Sequence, residues 1–191
     1  IKMTSAVIVQ RVVPRSRINS VLLVIGAAAL TALAAQWEIH LPFTPVPVTG
    51  QTFAVLLTGA ALGMTLGAAG QAVYVVAGAF GLPVYAGGAS GWDTASAQGS
   101  AGYLIGFIFA AGLIGWLAEH GADRKPLLAF LAFVAGQLLI FAFGLAGLKI
   151  AVGETWGWTI HNGFSIFIVG GLVKALVGAL VLPSTWRLVR G

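Results

Sequence analysis

From Ile18 onward the sequence is a succession of apolar runs, each closed by a short polar or proline- and glycine-rich stretch. Runs of this length match the hydrocarbon of a bilayer, which a helix of about 20 residues crosses. A backbone placed there must satisfy its own hydrogen bonds, so helix is the element the pattern demands. Composition closes the alternative of a soluble domain. Only 8% of the 191 residues are charged and 59% are hydrophobic, whereas a soluble domain is about 25% charged. The net charge of +5 does not point to nucleic acid, because the basic residues flank apolar runs and do not form a patch with interleaved aromatics. They read as topology signals. With no cysteine there is neither a disulfide nor a thiolate metal site. His40, His120 and His161 share no helical spacing, so no metal site is expected from them.

The expected fold is all-α and integral to the membrane, with six transmembrane helices. Residues 1–17 form a basic leader carrying Lys2, Arg11, Arg15 and Arg17, suited to an anionic cytoplasmic leaflet. Residues 18–190 form the membrane domain. Its first span runs from Ile18 to Ala35, and Ala28 and Ala32 make a small face that serves either internal packing or a partner subunit. Residues 36–50 hold Pro42, Pro45 and Pro47, which forbid regular helix. This stretch is still apolar, and non-helical backbone at membrane depth is tolerated only where it packs on protein or lines a cavity. A re-entrant, site-lining loop is the expectation.

Residues 51–80 supply two short spans divided near Gly63. Gly59, Gly63 and Gly67 repeat at the close-packing spacing of membrane helices, and Gln51 and Gln71 need polar partners in a dry setting. The loop 81–100 is long enough to be a lid or binding loop, and it carries Tyr85, Trp92, Asp93 and Gln98. A fourth span covers 101–117 and begins near Tyr103. A fifth covers 127–145, and a connector, 146–162, leads to the last span, 163–183. Six spans put both termini on one side. With that side cytoplasmic, eight basic residues lie inside and only Lys149 outside, a bias that favours this orientation.

Lys174 lies within the last span. An ammonium there costs about 2.5–3.5 kcal/mol on insertion scales and is usually turned to a protein interior or wet cavity. Gly170, Gly171 and Gly178 fall on its side of a helix, at offsets of four and three. The cation is therefore expected beside a face almost bare of side chains, open from the outer mouth and fit for a small anionic ligand. The sequence has no phosphate-binding loop, no His-Glu-x-x-His motif and no nucleophile set beside a base. An enzyme using Lys174 as base would consume its substrate, whereas a capture protein returns its ligand intact. A pore would need a polar stripe, yet the spans offer only Gln51, Gln71, Gln137 and Lys174.

Three blocks carry a resemblance. Leu41-Pro42-Phe43-Thr44-Pro45-Val46-Pro47-Val48-Thr49-Gly50-Gln51-Thr52-Phe53 resembles the signature of the BioY family. So do Ala79-Phe80-Gly81-Leu82-Pro83-Val84-Tyr85-Ala86-Gly87-Gly88 and Ser100-Ala101-Gly102-Tyr103-Leu104-Ile105-Gly106-Phe107. BioY proteins are biotin-specific substrate-capture subunits of energy-coupling-factor transporters in prokaryotes. The resemblance implies a multi-pass protein of the prokaryotic cell membrane, with biotin as transported ligand and no cofactor. It implies as partners a transmembrane coupling subunit and two ABC-type ATPase subunits, and no nucleic acid. Other readings kept beside it are a capture subunit for another small carboxylate or vitamin, and a biotin transporter that works alone. The implied site comprises Lys174, Gly171, Gln51, Tyr85, Trp92, Asp93, Gln98 and Tyr103, and the implied partner contact is Ala28 and Ala32. The family's last span reads about Pro-Gly-Asp-Leu-x-Lys, where this chain has Val169-Gly170-Gly171-Leu172-Val173-Lys174. The lysine is kept, and Gly171 stands where the acid is expected.

Overall fold

The computed structural model describes residues 7–42 and 44–190. Lys2 of the leader and Phe43 of the proline-rich loop lie outside the described residues. The chain is helical almost throughout: α1 (Val9–Val12), α2 (Arg17–Ala35), α3 (Gln51–Leu62), α4 (Met64–Ala79), α5 (Trp92–Ala97), α6 (Ala101–Glu119), α7 (Pro126–Val152), α8 (Trp156–Gly163) and α9 (Ile168–Arg190). Between α2 and α3 a two-residue hairpin pairs β1 (Glu38–Ile39) with β2 (Val48–Thr49), antiparallel, with Glu38 opposite Thr49. Four stretches among the described residues are long and apolar enough to cross a membrane: Arg17–Ala35, Ala101–Glu119, Pro126–Val152 and Trp156–Val189. α3 and α4 are shorter apolar helices of 12 and 16 residues.

Local chemistry accounts for the boundaries. Ser16 caps α2, its Oγ accepting from Asn19 N–H at 3.0 Å. Gly63 separates α3 from α4 at φ +86°, a conformation that costs a glycine little. Pro126 opens α7, where its missing N–H is no loss. Gly153 ends α7 at φ +70° and gives its N–H to Lys149 O. α7 thus runs seven residues past the expected Leu145, and the connector shrinks to a short link followed by α8. Pro183 does not stop α9, which continues to Arg190.

α6 sits at the centre, packed on α3, α4 and α7, while α7 carries α9 and α4 carries α2. Glycine makes these approaches possible. A Cβ at Gly59 would lie 2.6 Å from Ala111 O, and one at Gly67 would lie 2.8 Å from Gly59 Cα. A Cβ at Gly102 would lie 2.9 Å from Gly147 Cα, so α6 and α7 meet backbone to backbone. Gln71 is fully buried and its Nε2 donates to Thr31 Oγ1 and Thr58 Oγ1, both at 3.1 Å. These bonds satisfy the amide nitrogen, though not its Oε1, and tie α2, α3 and α4 together.

Ala28 is buried in the core and Ala32 is half-buried against it, so this small face takes part in internal packing, one of its two expected uses. Within the leader, Val7, Ile8 and Val9 join the core. They belong to one end of the bundle, the base, where Met64 N–H donates to Glu119 Oε1 at 2.9 Å and Trp186 Nε1–H donates to Asp123 Oδ2 at 2.5 Å. The loops 36–50, 81–100 and 153–167 gather at the other end, the mouth.

Candidate functional site

At the mouth these loops line a partly open cavity. Its walls are the proline-rich loop from Val46 to Thr52, the loop from Tyr85 to Ser100, and facing residues of α6, α7 and α9. Thr44 holds the proline-rich wall in place: its Oγ1 donates to Asn162 O of α8 at 2.8 Å and accepts from Val46 N–H at 3.3 Å. The loop 81–100 is not structureless. It contains a 3-10 turn at Ala86–Gly88 and the helix α5. It is anchored by Tyr85, whose hydroxyl donates to Val75 O at 2.6 Å, and by Gly91 N–H, which donates to Gly78 O at 2.8 Å. Burial pushes the Tyr85 phenol above its ordinary value, so it stays a protonated donor. Gly78 carries no side chain because the Tyr85 ring occupies that space.

Lys174 reaches the cavity from α9. It sits six residues, about 9 Å, below the first residue of that helix. Its Nζ donates to Thr49 O at 2.7 Å and to Thr52 Oγ1 at 2.8 Å. Among the described residues no carboxylate bonds it. β2 ends at Thr49, so the hairpin carries a bare carbonyl down to the depth of the ammonium, and backbone of this kind is stable there because it lines a cavity. A lysine ammonium has three donors, and one remains for a ligand.

The glycine face around Lys174 is less empty than its spacing implies. Around Gly170 a Cβ would meet nothing within 4 Å, and this residue opens onto the cavity. At Gly178 the Phe133 ring fills the space. At Gly171 a Cβ would collide with Gln137 Oε1, while Gln137 Nε2 donates to Gly171 O at 2.8 Å.

Six of the eight expected site residues, Lys174, Gly171, Gln51, Tyr85, Gln98 and Tyr103, line this one cavity. Trp92 and Asp93 do not: both are exposed at the first turn of α5, Trp92 by 38%, and only Ala95 of that helix and Gln98 just after it reach the lining. Several polar groups are already engaged. Gln51 Nε2 donates to Tyr74 Oη at 2.5 Å, and its Oε1 accepts from Thr49 Oγ1 at 2.8 Å. Tyr103 Oη donates to Gly163 O at 2.7 Å. Gln51 therefore holds the proline-rich wall, and Tyr85 and Tyr103 present ring faces. Phe141 completes an aromatic wall, stacked edge-on to Tyr103 at 6.3 Å and tilted against Phe167 at 6.1 Å. Thr49, Thr52 and Gln137 were not singled out for the site. Only Gln137 left a signal, as an amide inside an apolar span.

An apolar cleft with aromatic walls and few convergent polar groups is the usual form of a small-ligand site. Known proteins resemble the chain over most of its length. The model of the BioY family matches residues 4–191. A protein of Rhizobium etli named biotin transporter BioY is 36% identical over 169 residues, covering 84% of this chain and 89% of its own. A protein of Thermotoga maritima with the same name is 38% identical, covering 82% and 91%. The crystal structure of the S-component for biotin from an ECF-type ABC transporter superposes with a TM-score of 0.79 at 20% identity, over 90% of this chain and 92% of that one. That likeness concerns the fold. The family match spans nearly the whole sequence, and relatives above 30% identity span over four-fifths of it: the chain belongs to the BioY family.

Proposed function

We propose that the chain is the membrane-embedded, high-affinity biotin-binding subunit of a vitamin uptake system, energised by separate coupling and ATPase subunits. The observation that carries this is the Lys174 ammonium at the bottom of the mouth cavity. It is bonded to two threonine oxygens, has one donor left, and lies beside the open Gly170. Biotin offers hydrogen-bonding groups to such a donor and an apolar body to the aromatic wall. A charge-assisted hydrogen bond in a dry site is among the stronger single contacts a ligand gains. The family match supports capture and release over turnover.

In this reading the chain crosses the prokaryotic cell membrane six times. The base and both termini are cytoplasmic and the mouth faces out. α3 and α4 count as crossings because the proline-rich loop and the loop after α4 extend their path. The bias of basic residues toward the base supports that orientation. The loop 81–100 then acts as a lid over bound biotin.

Calorimetry of the purified protein in detergent, with biotin and its desthio and amide analogues, tests the reading. Biotin is expected to bind most tightly and to be recovered unchanged. The same sample should show slowed amide exchange in residues 81–100. Absence of biotin binding ends this proposal, and preference for a different small carboxylate replaces its ligand.

A further inference from the structure

We infer that Gln137, contributed by α7, is a specificity-determining residue of the cavity, whose Oε1 accepts a hydrogen bond from a ligand N–H beside Lys174. The inference rests on the biotin reading and deepens it.

The direction of the amide follows from its neighbour. Gly171 O is an acceptor with no donor of its own, so the group facing it must be the amide nitrogen, at 2.8 Å. An amide turned the other way would oppose two oxygens. Oε1 is thereby held in the space left by the absent side chain of Gly171. Gln137 is 6% exposed and lines the cavity, and among the described residues no protein donor serves its Oε1. Oε1 is not sealed inside the protein, so a donor entering the cavity can reach it.

Lys174 lies one turn further along α9, three residues from Gly171. On this part of the wall a free donor, the third Nζ–H of Lys174, therefore stands near a free acceptor, Gln137 Oε1, among the described residues. The complement of such a pair is a ligand edge with a carbonyl beside an N–H, as in a cyclic urea or amide. An ionised carboxylate does not match it, because it has acceptors only and would face the Oε1 lone pairs. The device also explains the glycine at 171: any Cβ there would push Oε1 out of place. The acceptor is neutral, so it does not neutralise Lys174.

The test compares biotin with its two ring N-methyl derivatives, by calorimetry on wild-type protein and on Gln137→Leu. Wild type is expected to prefer biotin over at least one derivative by about tenfold or more. In Gln137→Leu that preference should fall to within about twofold, because the N–H has lost its acceptor. A merely structural role for Gln137 would lower both affinities together and leave their ratio intact. The thermal transition in detergent reports whether the variant folds. Should it not fold, Gly171→Ala carries the same test, since its Cβ displaces Oε1. No biotin binding by wild type defeats the functional reading and this inference with it. Biotin binding without preference over either derivative, or a preference that persists in the variant, overturns the inference alone.

Discussion

Glycine serves one end at the packed helix contacts of this bundle and the opposite end at one open point of its mouth. Around the middle and base, glycine removes a side chain so that a neighbouring helix can take its place: Ala111 O and Ile114 stand where a Gly59 Cβ would be, and the Phe133 ring stands over Gly178. Around Gly170 nothing takes the place, and the vacancy is the cavity itself. The ionisable groups divide the same way. At the base Asp123 is buried and accepts from the Trp186 indole, with Arg124 over the same ring at 4.9 Å. At the mouth, among the described residues, Lys174 meets only neutral oxygens and keeps a donor in reserve. The difference teaches that glycine content does not locate the site. What locates it is the place where small residues are not answered by a neighbour and a polar group is left partly unsatisfied.

The largest expected effect comes from filling an answered glycine. Gly59→Val should cost about 3 kcal/mol or prevent folding, because the atoms 2.6 Å from its Cβ include backbone that cannot move aside. A thermal transition in detergent equal to that of wild type would break the contrast at its dry side. Next is Lys174→Ala. Biotin affinity should fall tenfold or more, about 1.4 kcal/mol, with the transition unchanged or raised, since a buried cation without a counter-charge is not a source of stability. Equal affinity by calorimetry would remove the lysine from the site.

Gly170→Ala sharpens the comparison, because it makes at the mouth the change that is forbidden at Gly59. Stability should rise by up to about 1 kcal/mol from helix propensity. Affinity should drop severalfold as the methyl enters the cavity, and a destabilised variant would show that this glycine is packed after all. The smallest effect belongs to Trp92→Ala. Trp92 lies outside the lining, so biotin affinity should stay within about twofold, and a larger loss would extend the site to the first turn of α5.

Much of the helical framework was legible because it follows from local rules. The first span and the start of α6 were read within a residue or two, since hydropathy and capping mark them. The division at Gly63 was read because a glycine between two apolar runs breaks a helix. The end of α7 was misplaced. Gly147 and Lys149 looked like a connector, yet Gly147 faces Gly102 across the α6–α7 contact, and Lys149 bonds Gly153 O and Glu154 O at the helix C-terminus. A glycine in a packing face and one in a turn are written with the same letter. The same ambiguity left Ala28 open between internal packing and a partner face.

The sequence by itself determined that the chain is a set of apolar helices, that one lysine lies inside the last of them, and that proline keeps residues 36–50 from being helix. Each follows from solvation or backbone sterics, which act on a residue and its immediate neighbours. Tertiary structure alone decided which glycines are filled and which is open, that Thr49 and Thr52 receive the ammonium, and that Gln137 reaches across from α7 to Gly171. Those partners are separated by 125, 122 and 34 positions. No periodicity spans such distances, because the contacts exist only once helices pack and decide which side chain meets which vacancy.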